Sequence, residues 1–222
     1  MEKDSPLVDT SMAEATTVLD KLLVTELCRN VPNISNFSTR LSEIARGIAI
    51  VLSALDLDLA TEHLKDTPKR VARMLLLELC SGYFLDPVKI LNTSFSEQKY
   101  NQMIFVSGIE VISLCAHHMI PFYGEAKIGY LPDNRVVGLS KLARITKVFA
   151  ARLQVQETLT EDIVNALFDI LSPKGAGVFI QAKHFCSCIR GVRNKDMLMT
   201  TVALRGNFLQ VSQKQEFLDL CR

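Results

Sequence analysis

The sequence carries no strong charge of either sign. Its formal net charge is +1 over 222 residues, so no overall field favours nucleic acid or an acidic membrane surface. Any anion site is therefore local. Long hydrophobic runs are missing as well. The richest stretch, Ala45 to Leu55, is short and carries Arg46, and no run reaches the length needed to span a bilayer. No N-terminal apolar run has signal-peptide form, so a cytoplasmic location is expected, with neither a nucleic-acid nor a membrane partner. Cysteine is sparse: six in a chain of this length are too few for a disulfide scaffold. Cys28, Cys80 and Cys221 read as ordinary thiols. Repeats and low-complexity segments are absent. What is present is a hydrophobic fraction of 48%, ample for the core of one domain or two small ones.

Periodicity divides the chain in two. Met1 to about Ser11 reads as a loose terminus. Met12 to Asn30 has a helical pattern with Val18, Leu22 and Leu23 on one face, ended by Val31-Pro32-Asn33. Leu41, Ile44, Ala45, Ile48, Leu52 and Leu55 predict a second helix behind a Ser38-Thr39 cap. A third begins at Thr67-Pro68, with threonine as cap, and stops before Gly82. The character then changes. Met103 to Val106 and Ile109 to Leu114, separated by Ser107-Gly108, predict a hairpin. A strand is expected from Tyr123 to Leu131 and a helix from Ser140. Another helix is expected near Thr158, where Thr158 and Glu161 have capping-box spacing. Gly177 to Phe185 and Met199 to Leu204 complete the strands. The order implies an α+β fold, an antiparallel sheet with the helices on one face.

Three of the four histidines and three of the six cysteines fall in two short clusters, Cys115-Ala116-His117-His118 and His184-Phe185-Cys186-Ser187-Cys188. Zinc takes thiolates and imidazoles in a tetrahedron, and a catalytic zinc keeps one position open. Cys115 pairs with His118 if the segment turns, or with His117 if it stays extended; Pro121, a strand breaker, favours the turn. Cys186 is the natural third ligand and Cys188 its competitor. Each cluster alone is as well explained by a buried thiol and hydrogen-bonded core histidines; two in one chain favour a shared ion. Two cysteines and one histidine as ligands would leave two histidines free as proton carriers beside a metal that activates water. That composition points to hydrolysis.

Two further segments suggest a substrate. Ser140, Lys141 and Arg144 place a hydroxyl and two cations at a helix start, where free N–H groups bind phosphate; the plain alternative is a serine cap with two solvated cations. Gln156 and Glu157 lie in a polar stretch between helices. A carboxylate there accepts two N–H bonds, which suits the guanine edge. Arg190 follows the second cluster and reaches either a phosphate or a surface partner.

Together these segments resemble GTP cyclohydrolase I from about Thr67 to Phe208. The resemblance rests on Thr67-Pro68-x-Arg70-Val71-Ala72, Cys115-x-His117-His118, Gly138-Leu139-Ser140-Lys141-Leu142-Ala143-Arg144, Gln154-Val155-Gln156-Glu157-x-Leu159-Thr160, His184-x-Cys186 and Arg190-Gly191. It implies the tunnelling fold, or T-fold, assembled as a homodecamer of two five-subunit barrels with active sites between subunits. It implies Cys115, His118 and Cys186 as zinc ligands and His117 and His184 as proton-transfer residues. Ser140, Lys141, Arg144 and Arg190 would hold the triphosphate, and Gln156 and Glu157 the guanine. The implied reaction converts GTP to 7,8-dihydroneopterin triphosphate and formate, the first step of pterin and tetrahydrofolate biosynthesis. On this reading residues 1–37 are a variable lead-in with a helix, 38–100 a helical region and 101–222 the T-fold catalytic domain. Two departures stand out: Ala116 where the family usually has glutamate, and Met197-Leu198-Met199 in place of a run richer in Ser and Thr. Ala116 is the one support for an alternative, an impaired family member kept as a zinc- and nucleotide-binding subunit. A structural-zinc interaction module, with Cys188 closing the site, is more distant.

Overall fold

A computed structural model describes residues 36–92, 94–95 and 100–222. The expected helix from Met12 to Asn30 and the loose start before it lie outside the described residues. The second expected helix is α1 (Phe37–Ala54). Ser38 and Thr39 sit inside its first turn; Asn36 is the cap residue, without a side-chain cap bond. Leu41, Ile44, Ile48 and Leu52 are half-buried, and the stripe packs on α2 (Thr67–Arg73). Thr67 is likewise a helical residue rather than the cap, which is Asp66. The helix continues through a π-helical turn, Met74–Leu79, into a 3-10 turn, Ser81–Phe84. A short helix, α3 (Pro87–Leu91), follows, capped by the Asp86 carboxylate, which accepts the Val88 N–H at 2.9 Å.

The second half is a sheet with helices on it. Its strands are β2 (Ile104–Cys115), β3 (Pro121–Leu131), β5 (Leu153–Gln154), β6 (Gly175–His184) and β7 (Met199–Gly206), in the order β5-β2-β3-β6-β7. All pairings are antiparallel except the short β5, which runs parallel to β2. A separate small pair joins β1 (Ser94–Phe95) to β4 (Val136–Val137). The predicted hairpin at Ser107-Gly108 is not one. Residues 104–115 form a single strand with a register shift between Val106 and Ile109. Gly108 takes φ +71° and donates its N–H to Glu125 Oε1 at 2.7 Å. A Ser-Gly pair reads as a turn, yet a bulge absorbs the extra residue and lets both halves keep the same partner strand. Pro121 opens β3 instead of breaking it, a position where its missing N–H is tolerated.

One sheet face buries alternating residues: Ile109 and Val111 of β2; Phe122, Ala126, Ile128 and Tyr130 of β3; Ala176, Val178, Ile180 and Ala182 of β6. Against them lie α4 (Leu139–Ala150), through Leu142, Ile145 and Phe149, and α5 (Gln156–Leu171), through Leu159, Ile163, Val164 and Leu167. The expected capping box does not start α5, because Thr158 already lies in its first turn and Val155 is the cap residue. The helices are not confined to one face. A 3-10 turn, Asn207–Leu209, and α7 (Val211–Leu220) bury Phe208 and Phe217 beside Phe105, Phe179 and Leu204 in a second cluster. Gly129 and Gly177 make room for those rings: a Cβ on Gly129 would stand 2.8 Å from the Phe217 ring, and one on Gly177 2.9 Å from Phe208. Among the described residues no helix is long and apolar enough to cross a membrane.

Candidate active site

Sheet register gathers the candidate residues. Cys115, the last residue of β2, pairs with Gln154 of β5. One strand over, Phe122 of β3 pairs with His184, the last residue of β6. The chain reverses between β2 and β3 through a tight loop. The Cys115 N–H donates to Ile120 O at 2.9 Å, and Cys115 O accepts from the Met119 N–H at 2.8 Å. Met119 takes φ +54° to close the loop. The turn folds His117 and His118 back over Cys115, whose Sγ lies 3.7 Å from His117 Nδ1 and 3.9 Å from His118 Nδ1. On the other side one helical turn, α6 (Phe185–Cys188), returns Cys186 toward the loop. The Ser187 hydroxyl donates to His184 O at 2.8 Å and holds that turn.

The ligand atoms of Cys115, His118 and Cys186 all lie within 4.8 Å of one another. Bonds of roughly 2.0–2.3 Å at tetrahedral angles separate zinc ligands by about 3.3–3.8 Å, so a contraction of about 1 Å would seat an ion. The electrostatics agree. Burial pushes the Cys186 thiol up, neighbouring Cys115 adds to it, and Arg190 acts in the opposite direction. Two sulfurs side by side disfavour a second negative charge, and a divalent cation removes that conflict. The turned pairing of Cys115 with His118 is therefore the one that meets Cys186. Cys188 and His117 belong to no such group among the described residues.

Around these three atoms lies a cleft of about 450 Å³. It is lined by His117, His184 and Glu157 together with Gln154, Gln156 and the Met197–Met199 run. Such a volume suits a small-molecule ligand. The His184 ring stacks on Phe122 at 4.6 Å with the planes 13° apart. Burial pushes its imidazole below the ordinary range, partly offset by the Glu157 carboxylate. Glu157 itself is exposed. Gln156, expected to share the guanine edge with it, is placed differently. Its side chain is fully buried and fully engaged by the protein.

The anion segment lies elsewhere. Val137, just before α4, donates its N–H to Tyr130 Oη at the far end of β3. From there α4 runs back toward β5, which places Ser140 about 15 Å along the helix axis from its cleft end. Ser140 and Arg144 are exposed, Lys141 half-buried, and none of them lines the cleft. Arg190 is exposed near Cys186 and also stays outside the lining. Sequence reading missed Phe122, because its stacking follows from register across two strands. It also missed how Gln154 closes the corner, with its backbone O accepting the Ala116 N–H at 2.9 Å and its amide donating to Phe149 O at 3.1 Å. Ala116 is exposed and brings no carboxylate to this loop.

Comparison with known proteins agrees with the geometry. The family model for GTP cyclohydrolase I matches residues 44–222. A GTP cyclohydrolase 1 from Chlorobium phaeovibrioides is 44% identical over 183 residues, covering 82% of each chain. One from Bacteroides thetaiotaomicron is 39% identical, covering 82% of this chain and 93% of its own. One from Wolinella succinogenes is 46% identical over 155 residues, covering 70% of this chain and 82% of its own.

Proposed function

From the premise that the chain belongs to the GTP cyclohydrolase I family and is an enzyme of that kind, we propose that it converts GTP and water to 7,8-dihydroneopterin triphosphate and formate. The observation that carries this reading is the three-atom group of Cys115, His118 and Cys186, with two further histidines on the same cleft. Held there, a zinc ion would supply a Lewis acid and, at neutral pH, an activated water. Glu157 accepts the two N–H groups of the guanine edge and fixes the base. His184 and His117 carry protons to and from the purine ring and the leaving formyl group. The ribose then rearranges and closes onto the exposed amines.

Ser140, Lys141, Arg144 and Arg190 hold the triphosphate. The first three lie away from the cleft of their own chain, so a neighbouring subunit presents them. This supports sites between subunits, in a T-fold homodecamer of two pentamers. The enzyme works in the cytoplasm, at the head of pterin and tetrahydrofolate synthesis. The test is product identification. Incubated with GTP, the protein is expected to release formate and yield a pterin that fluoresces after oxidation, and a chelator is expected to stop both. Full zinc occupancy with no product would favour the impaired-subunit alternative.

A further inference from the structure

The Gln156 carboxamide has a settled orientation. Its Nε2 lies 3.1 Å from Ile180 O, 3.1 Å from Met199 O and 3.1 Å from Thr201 Oγ1. The first two are carbonyls and only accept. The third has no proton to offer either. The Thr160 hydroxyl donates to Gln156 O at 2.7 Å, so the proton in the 2.6 Å Thr160–Thr201 contact belongs to Thr201 and points at Thr160. Three acceptors surround the amide nitrogen. Turned over, the amide would set Oε1 against two carbonyl oxygens with no proton between them. Oε1 therefore faces His184, at 2.8 Å from its Nε2. An oxygen that only accepts requires a proton on that nitrogen.

We propose that Gln156 is a positioning residue that holds His184 with Nε2 protonated, so that Nδ1 is the ring nitrogen left to meet substrate. The carboxamide network, anchored on β6 and β7, sets the tautomer, and the Phe122 stack sets the ring plane. Nδ1 has no hydrogen-bond partner among the described residues and is solvent-accessible, on a residue that lines the cleft. The ring is thus pre-organised by the Gln156 bond and the Phe122 stack, and no side chain has to turn to present Nδ1. This inference rests on the proposed function for its substrate, but the tautomer does not.

The chain has four histidines, few enough for histidine-selective 15N labelling and solid-state NMR of the zinc-loaded protein. The His184 signals are those lost in His184→Asn. They are expected at the shifts of a neutral Nε2–H ring; a neutral Nδ1–H ring would overturn the proposal. Kinetically, Gln156→Met is expected to lower kcat about 10–100-fold, the size of loss seen when a partner that orients a metal-bound imidazole is removed. KM for GTP should stay within about twofold and zinc content should not change. A KM raised about tenfold with kcat unchanged would put Gln156 on the substrate instead, and overturn the proposal. Gln156→Glu, as the acid, keeps an acceptor toward Nε2 and should retain more kcat than Gln156→Met; equal loss would count against the proposal. The wild-type and His184→Asn spectra decide even if neither Gln156 variant assembles. A wild type that makes no pterin from GTP would remove the proposed function and leave the tautomer to the spectrum.

Discussion

The two ends of the sheet are built on different physics. At the cleft end the buried side chains include Gln154, Gln156 and Thr160, and each is hydrogen-bonded. At the other end Phe208 and Phe217 fill the space over two glycines, with ring centroids 5.4 Å apart. Directional bonds hold orientation; packed rings hold volume. An unpaired buried polar group is costly, so the cleft end is stable only when its network is complete. The Phe208–Phe217 cluster at the far end is close-packed and contributes stability without touching the cleft of its own chain. The division implies that damage at one end should show in turnover, and damage at the other in folding.

The sharpest test is at the cleft end. Cys186→Ser is expected to abolish activity and drop zinc from about one ion per chain to nearly none, measured by atomic absorption. Cys188→Ser should leave zinc content intact. If instead Cys188→Ser empties the site, the ion is held by a different set and the three-atom group is wrong. Next in size is His117→Ala, which should keep the metal and lower kcat by about 100-fold or more, the usual contribution of a general acid or base. Loss of zinc in that variant would make His117 a ligand, against the geometry here.

At the far end Phe217→Ala removes a fully buried ring. It is expected to destabilise the fold by about 3–5 kcal/mol in denaturant melts. Zinc content and the kcat of the folded fraction should match wild type. A variant of normal stability but low kcat would erase the contrast between the two ends.

The contrast was partly visible beforehand, for local reasons. Cys115 and His118 stand three residues apart, so one turn is enough to join them; the sequence offers His117 as well, and the turn in the structure is what brings His118 to Cys186. Cys186 was legible because cysteine and histidine are scarce and fell into one place. What depends on register was not legible. Phe122 reaches His184 across a strand pairing, and Gln156 reaches Ile180 and Met199 at 24 and 43 residues' separation. A glutamine beside a glutamate reads as a ligand-binding pair until the carbonyls that occupy it are seen. Ser107-Gly108 misled for a related reason: the dipeptide fits a turn and a bulge equally, and only the partner strand decides between them. The caps lie one to three residues before the expected Ser38-Thr39, Thr67 and Thr158, since Ser, Thr and Glu are tolerated within a first turn as well as before it.

The smallest effect tests whether the comparison extends beyond one chain. Ser140, Lys141 and Arg144 sit toward the far end of the sheet, out of reach of their own cleft. If they complete a neighbour's site, Arg144→Ala should raise KM for GTP about tenfold, the loss of roughly 1.4 kcal/mol from one charge-assisted contact. Zinc content should not change. The stronger form uses two defective chains. Arg144→Glu reverses the charge that would meet phosphate, and His184→Ala removes a proton carrier; each alone should be inactive. Unfolded together, mixed in equal amounts and reassembled, they should recover about a quarter of wild-type turnover. In a closed ring where each site draws on two subunits, about one site in four then pairs an intact His184 with an intact Arg144. Recovery requires that the two residues come from different chains. If the mixture stays as inactive as its parts while wild type reassembles under the same conditions, Arg144 and His184 serve one site within one chain, and the far end of α4 swings to the cleft in a way this geometry does not contain.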